Sequence, residues 1–237
     1  MDLLPQVAAP IRCAVIRAVI FDFYGTLTEA IRRGPAGDRA ARVLGCDPAV
    51  FRLALDQTWS ARARGELGSI RESLATLARR QGREPTAVQL DRAERLRDAA
   101  VRHSIRLRPD AVPTLRRLRA RGLRTALVSD CTVELPGIVA GLPVAGLLDA
   151  TVYSSDLGLT KPDPRLFQRA AGLLGLDPGH CLYVGDGGGR ELTGAGAVGM
   201  TPVRLTEADL ADHLVFNNEP PWSGARVPHL ADVLDLL

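Results

Sequence analysis

Lysine is all but missing. Of the 30 basic residues in the 237-residue chain, 29 are arginine and only Lys161 is lysine. Arginine evidently serves wherever a general positive charge will do, so the one lysine gains weight if it falls in a motif. Aromatic residues are scarce as well, at 4%, which argues against a base-stacking surface for nucleic acid. Basic and acidic residues nearly balance, 30 against 27. The densest basic stretch, Arg116-Arg117-Leu118-Arg119-Ala120-Arg121, reads as a solvated helix face, and no nucleic-acid partner is expected. The four cysteines, Cys13, Cys46, Cys131 and Cys181, form no C-x-x-C pair and have no metal-ligand spacing. They read as reduced, mostly buried thiols of a cytoplasmic protein. No long apolar run is present. The stretch from Cys13 to Phe23 is broken by Arg17 and Asp22 and is too short to span a membrane, and no signal peptide is apparent.

What is present is ordinary globular composition, 46% hydrophobic and 24% charged, over a length that suits one α/β domain carrying an insert. Ala18-Val19-Ile20-Phe21 is a continuous apolar run, the mark of a buried parallel strand, and it ends in Asp22. Residues 29 to 103 read as helical, rich in Arg, Ala, Leu and Glu. Strands and helices then alternate. Helices are expected at 111–121, 164–174, about 191–198 and 230–237. Strands are expected at 125–128, 151–153 and 181–184, with weaker candidates at 201–204 and 214–216, while 217–228 reads as loop. Alternation of this kind implies a parallel sheet with right-handed crossovers. The expectation is an α/β fold: a Rossmann-like parallel-sheet core from residues 1–28 and 104–237, with a helical cap inserted at 29–103.

Four polar positions fall just beyond expected strand ends: Asp22, Ser129, Lys161 and Asp186. In an open α/β sheet that edge is where ligands bind. Each residue alone could be a turn or cap residue; their joint occurrence in this order is what carries the argument.

The same residues resemble the motifs of the haloacid dehalogenase-like hydrolases over nearly the whole chain. Phe21-Asp22-Phe23-Tyr24-Gly25-Thr26-Leu27-Thr28 is similar to the first motif and the most specific of the four. Val128-Ser129-Asp130, Lys161-Pro162-Asp163-Pro164, and Val184-Gly185-Asp186 with Glu191 are similar to the second, third and fourth. The sole lysine thus stands at the third motif. The resemblance implies that Asp22 is the nucleophile and forms a covalent aspartyl intermediate. It implies that Thr26, Ser129, Asp130 and Lys161 bind the substrate's anionic group, and that Lys161 offsets neighbouring carboxylates. In the phosphatase branch, Mg2+ would be held by Asp22, Asp186 and the backbone carbonyl of Tyr24, with Glu191 ligating directly or through water.

Two departures pull in opposite directions. Phosphatases of this family usually have a second aspartate two residues after the nucleophile; here Tyr24 takes its place. A phenol can donate a proton but is a poor base near neutrality. Halide needs no proton to leave, so Tyr24 argues for a metal-independent 2-haloacid dehalogenase. Asp186 argues for Mg2+, because without a cation it would repel Asp22. Gly187-Gly188-Gly189 also lacks the Ser-Asn pattern of a dehalogenase. The balance favours an Mg2+-dependent phosphatase acting on a small phosphorylated molecule, with the dehalogenase as alternative and a catalytically degenerate binding module as a third reading. Arg190 stands where the family often has Asn or Asp; it could pair with Asp186 or Glu191, or contact phosphate. Trp59, Arg62, Arg64 and Glu66 are candidates for setting specificity. Monomer and homodimer both remain open.

Overall fold

A computed structural model describes residues 15–32 and 37–237; Cys13 lies outside them. The first strand, β1 (Ala18–Phe21), is buried along its whole length. Its side chains alternate between two separate apolar clusters. Val19 and Phe21 enter one, and Ala18 and Ile20 the other. A strand covered on both faces needs apolar residues at every position, which explains the unbroken run.

Among the described residues, five α-helices follow: α1 (Asp38–Val43), α2 (Pro48–Gln57), α3 (Trp59–Ala63), α4 (Ile70–Arg79) and α5 (Ala87–Ser104). Capping boxes start α4, through Ser69 and Glu72, and α5, through Thr86 and Gln89. The block has a cluster of its own, including Leu44, Phe51, Leu74, Leu77 and Ala93, apart from the two that sandwich the sheet. Its entering and leaving segments are tied by an isolated antiparallel bridge between Thr28 and Leu107.

The chain then alternates as expected: α6 (Ala111–Ala120), β2 (Arg124–Ser129), α7 (Leu135–Val139), β3 (Ala150–Tyr153), α8 (Ser154–Leu157), α9 (Pro164–Leu173), β4 (Cys181–Gly185), α10 (Glu191–Ala197), β5 (Thr201–Leu205) and β6 (Ala225–Val227). All six strands are parallel, in the order β3-β2-β1-β4-β5-β6. This is the Rossmann-like α/β architecture. The order reverses between β1 and β4, and the crevice beyond their carboxyl ends is the ligand position for such a sheet.

Three expectations need correction. Leu214–Phe216 is not a strand. Its apolar residues line a cavity instead, and hydrophobic pattern reports burial without saying what does the burying. The sixth strand lies within the stretch read as loop, at Ala225–Val227. The closing segment Leu230–Leu236 is 3-10 helix, with Leu230, Val233 and Leu234 buried. The short α7 and α8 were also not expected. No helix among the described residues is long and apolar enough to cross a membrane.

Candidate active site

Asp22 leaves β1 with its N–H on the Val184 carbonyl of β4, at 2.9 Å. The chain then turns tightly through Tyr24 to Gly25, which sits at φ 79°. A Cβ on Gly25 would come within 2.8 Å of His213 Nε2 and 3.2 Å of Asp186 Oδ2, so this turn requires glycine on both counts. Buried Arg108 holds the turn from behind. Its guanidinium donates to the carbonyls of Thr26 (3.0 Å) and Gly25 (2.8 Å), and it pairs with Asp209 at 3.0 Å.

Lys161, 4% exposed, lies between two carboxylates. Its Nζ is 2.5 Å from Asp22 Oδ1 and 2.6 Å from Glu191 Oε2. Burial alone would lower its pKa, but the charges of Asp22 and Glu191 outweigh that and hold it well above the ordinary lysine value. Glu191 also accepts from the Tyr183 hydroxyl at 2.8 Å and the Gly187 N–H at 3.0 Å. Both of its oxygens are therefore engaged by the chain itself. Asp186, at the end of β4, accepts from the Gly188 N–H at 3.1 Å. Its Oδ2 lies 3.7 Å from His213 Nε2. The other ring nitrogen, His213 Nδ1, accepts from the Ile31 N–H at 2.8 Å, which leaves the hydrogen of a neutral ring on Nε2, facing Asp186. Burial, with the Asp22 charge second, raises the Asp186 pKa.

Oxygens of Asp22, Asp186 and Glu191 all fall within 4.8 Å of one another, and all three residues are buried. They open onto a cavity of about 360 Å3 that is also lined by Tyr24, Asp130, Lys161 and His213. Its remaining walls come from the helical block, through residues such as Leu55, Trp59, Arg62, Arg97 and Val101, and from Leu214–Phe216. Trp59 and Phe216 stack across the boundary, 4.9 Å between ring centres and 14° from parallel. The buried Glu134 of the sheet side pairs with Arg97 of α5 at 3.0 Å.

Of the residues singled out from sequence, Asp22, Tyr24, Asp130, Lys161, Asp186 and Glu191 meet at this cavity. Thr26 and Ser129 lie beside it without lining it. Both are fully buried; the Thr26 hydroxyl has no partner among the described residues, and the Ser129 hydroxyl donates to the Asp130 carbonyl at 3.4 Å. Burial, followed by Asp130's neighbours Lys161 and Asp22 in opposite senses, leaves the Asp130 carboxyl raised to about 6. The Tyr24 phenol is raised well above the ordinary tyrosine value, chiefly by burial, so it stays protonated. Arg190 is exposed, at φ 54°, and pairs with neither Asp186 nor Glu191. Trp59 and Arg62 line the cavity, whereas Arg64 and Glu66 pair with each other outside it at 2.5 Å. Tyr183, His213, Arg97, Arg108 and Glu134 are the members that sequence reasoning missed.

A family model described as haloacid dehalogenase-like hydrolase matches residues 16–199. The chain belongs to this family. It is 30% identical over 208 residues to (S)-2-haloacid dehalogenase 1 of Pseudomonas sp. (strain CBS-3), covering 85% of this chain and 89% of that one. It is 32% identical over 129 residues to glyceraldehyde 3-phosphate phosphatase of Methanopyrus kandleri, covering 53% of this chain and 55% of the relative. The chain spans about half the length of several curated relatives it matches, this phosphatase among them. Among solved structures, L-2-haloacid dehalogenase from Xanthobacter autotrophicus with chloropropionic acid covalently bound has the same fold. Its TM-score is 0.63 at 22% identity, over 94% of this chain and 98% of that one.

Proposed function

We propose that the chain is an Mg2+-dependent phosphatase that hydrolyses a small-molecule phosphate monoester through Asp22. The observation that carries this reading is the buried group of Asp22, Asp186 and Glu191, whose oxygens lie within 4.8 Å of one another. Lys161 is the one ammonium among them. Three carboxylates against one ammonium leave excess negative charge where the dielectric is low, and a divalent cation with oxygen ligands removes it. The donor set fits Mg2+. Asp22, Asp186 and the backbone carbonyl of Tyr24 would hold it. Glu191, already engaged by Lys161, Tyr183 and Gly187, would hold the ammonium rather than the metal. When bound, Mg2+ neutralises charge on the phosphoryl oxygens.

The chain's own residues do the rest. An Asp22 carboxylate oxygen bonds to phosphorus as the ester O–P bond breaks, giving an aspartyl-phosphate. Lys161 donates to Asp22 Oδ1 and so orients it, and its positive charge offsets the negative charge of the incoming phosphoryl group. Water then attacks phosphorus, which frees phosphate and restores the carboxylate. Tyr24, held protonated by burial, is not a base for that water. The departing oxygen takes its proton from solvent, so esters of acidic alcohols such as phenols turn over fastest.

Tyr24 and the near full-length similarity to a 2-haloacid dehalogenase support a second reading, in which Asp22 attacks carbon and halide leaves without metal. One assay separates the two. We expect phosphate release from an aryl phosphate with Mg2+, none in chelator, and none from Asp22→Asn. Chloride release from 2-chloropropionate in chelator, with no phosphate release under any condition, would establish the dehalogenase instead.

A further inference from the structure

The floor and the far wall of the cavity differ in charge. The floor carries Asp22, Asp130, Asp186 and Glu191 around Lys161, whereas the opposite wall carries Arg32, Arg52, Arg62 and Arg97 against one carboxylate, Asp56. Arg52 is paired with Asp38, and Arg97 Nε donates to Glu134 at 3.0 Å. Arg62 is different. It is 7% exposed, and its acceptors are the Leu55 carbonyl at 2.8 Å and the Thr58 hydroxyl at 3.3 Å. Its guanidinium lies 5.8 Å from the centre of the Trp59 ring. Among the described residues, no carboxylate pairs with it within 4.0 Å. Burial, with the neighbouring Arg97 charge second, pulls its pKa down to about 10, against the opposing pull of Glu134 and Asp56.

A buried cation held by one neutral carbonyl and one hydroxyl, with a second cation as neighbour, is poorly compensated. It gains most when an anion enters. Arginine also presents a planar fork that suits carboxylate and phosphate oxygens. We infer that Arg62, with Arg97 beside it, forms a subsite for a second anionic group on the substrate, carried by the part of the molecule away from the bond that is cleaved. On the phosphatase reading, on which this rests, the substrate class is the phosphate ester of an alcohol that itself bears a carboxylate or a second phosphoryl group. Neutral alkyl and sugar monophosphates fall outside that class.

Binding tests the subsite without turnover. Wild-type protein with Mg2+ is titrated with phosphonoacetate, methylenediphosphonate and ethylphosphonate, which share one phosphonate and differ in the second group. The readout is tryptophan fluorescence in a Trp222→Phe background, which leaves Trp59, with its ring centre 5.8 Å from the Arg62 guanidinium, as the emitter. At least one of the two dianionic-type ligands should bind about tenfold or more tighter than ethylphosphonate, as a hydrogen-bonded charge pair implies. Which of them does so tells carboxylate from phosphoryl. Arg62→Gln should abolish that preference and Arg62→Lys should keep most of it. Equal affinity for all three ligands in the wild type, or no binding of any, overturns the subsite. So does a preference that survives Arg62→Gln. A preference that depends on Arg62 in a protein that releases no phosphate from any ester would retain the anion subsite and sink the phosphatase reading instead.

Discussion

Replacing Lys161 with methionine probes how the buried charges are balanced. The ammonium is 2.5 Å from Asp22 and 2.6 Å from Glu191, and the side chains of the three are 2%, 8% and 1% exposed. Methionine nearly fills the same volume, so the loss is electrostatic. Removing one partner of a buried ion pair costs about 3–5 kcal/mol. Two carboxylates lose their partner here, but a proton limits the damage. Protonating an ordinary glutamate at pH 7 costs about 3.7 kcal/mol, roughly 2.7 pH units at 1.36 kcal/mol each. Lys161→Met should therefore lose about 3–5 kcal/mol near pH 7.5 in chelator, a large share of the stability of an ordinary domain. An orphaned carboxylate has a folded-state pKa above its unfolded value, so it destabilises increasingly as pH rises and less as pH falls. Going to pH 5.5 should recover up to about 2.7 kcal/mol, and the double variant Lys161→Met/Glu191→Gln should recover a similar amount at pH 7.5. Urea denaturation of the wild type, Lys161→Met and the double variant at both pH values measures this. A deficit below about 1 kcal/mol, or one that ignores both pH and Glu191→Gln, would refute the charge-balance argument.

Two further outcomes are expected. Asp130, raised to about 6 from 3.8 by burial, binds its proton more tightly folded than unfolded, so it contributes stability below about pH 4 that is lost as pH rises through 6. The difference is about 3 kcal/mol, and Asp130→Asn should flatten the fall in Tm between pH 4 and 7; parallel curves for the two proteins would contradict it. Tyr183→Phe keeps the ring packed edge-on against Phe167, at 5.2 Å and 74°, but removes the O–H donated to Glu191. It should cost about 1.5–3 kcal/mol in denaturation, and an unchanged midpoint would show that this hydroxyl does not hold Glu191.

Much of this site is legible from sequence because the sheet is parallel. Asp22 and Asp186 follow β1 and β4, and Ser129 closes β2 with Asp130 next; each marks the point where an apolar run gives way to polar residues. Strand ends in a doubly wound sheet share an edge, so local signals converge on one place. Lys161 stood out because arginine had displaced every other lysine. The missing members have no such mark. Tyr183 sits inside an apolar strand, where it reads as core, and only the packing of α10 brings Glu191 to its hydroxyl. His213 reaches Asp186 because the chain after β5 returns to pair with Ile31, a contact set by tertiary structure alone. Arg97 and Arg108 are two arginines among 29, and composition cannot rank them. The apolar residues of Leu214–Phe216 were visible, but their pattern could not tell a strand from a cavity wall.

The most direct measurement of the central claim is the chemical state of Asp22 during turnover. Acid-quenched enzyme, taken in the steady state with an aryl phosphate and Mg2+, should yield a peptide phosphorylated on Asp22, and none should form in chelator or in Asp22→Asn. Turnover in 18O-water should place the label in released phosphate and not in the Asp22 carboxylate. Asp22 that carries an ester to carbon, formed from a 2-haloacid without metal and returning to carboxylate with 18O in its side chain, would contradict the account.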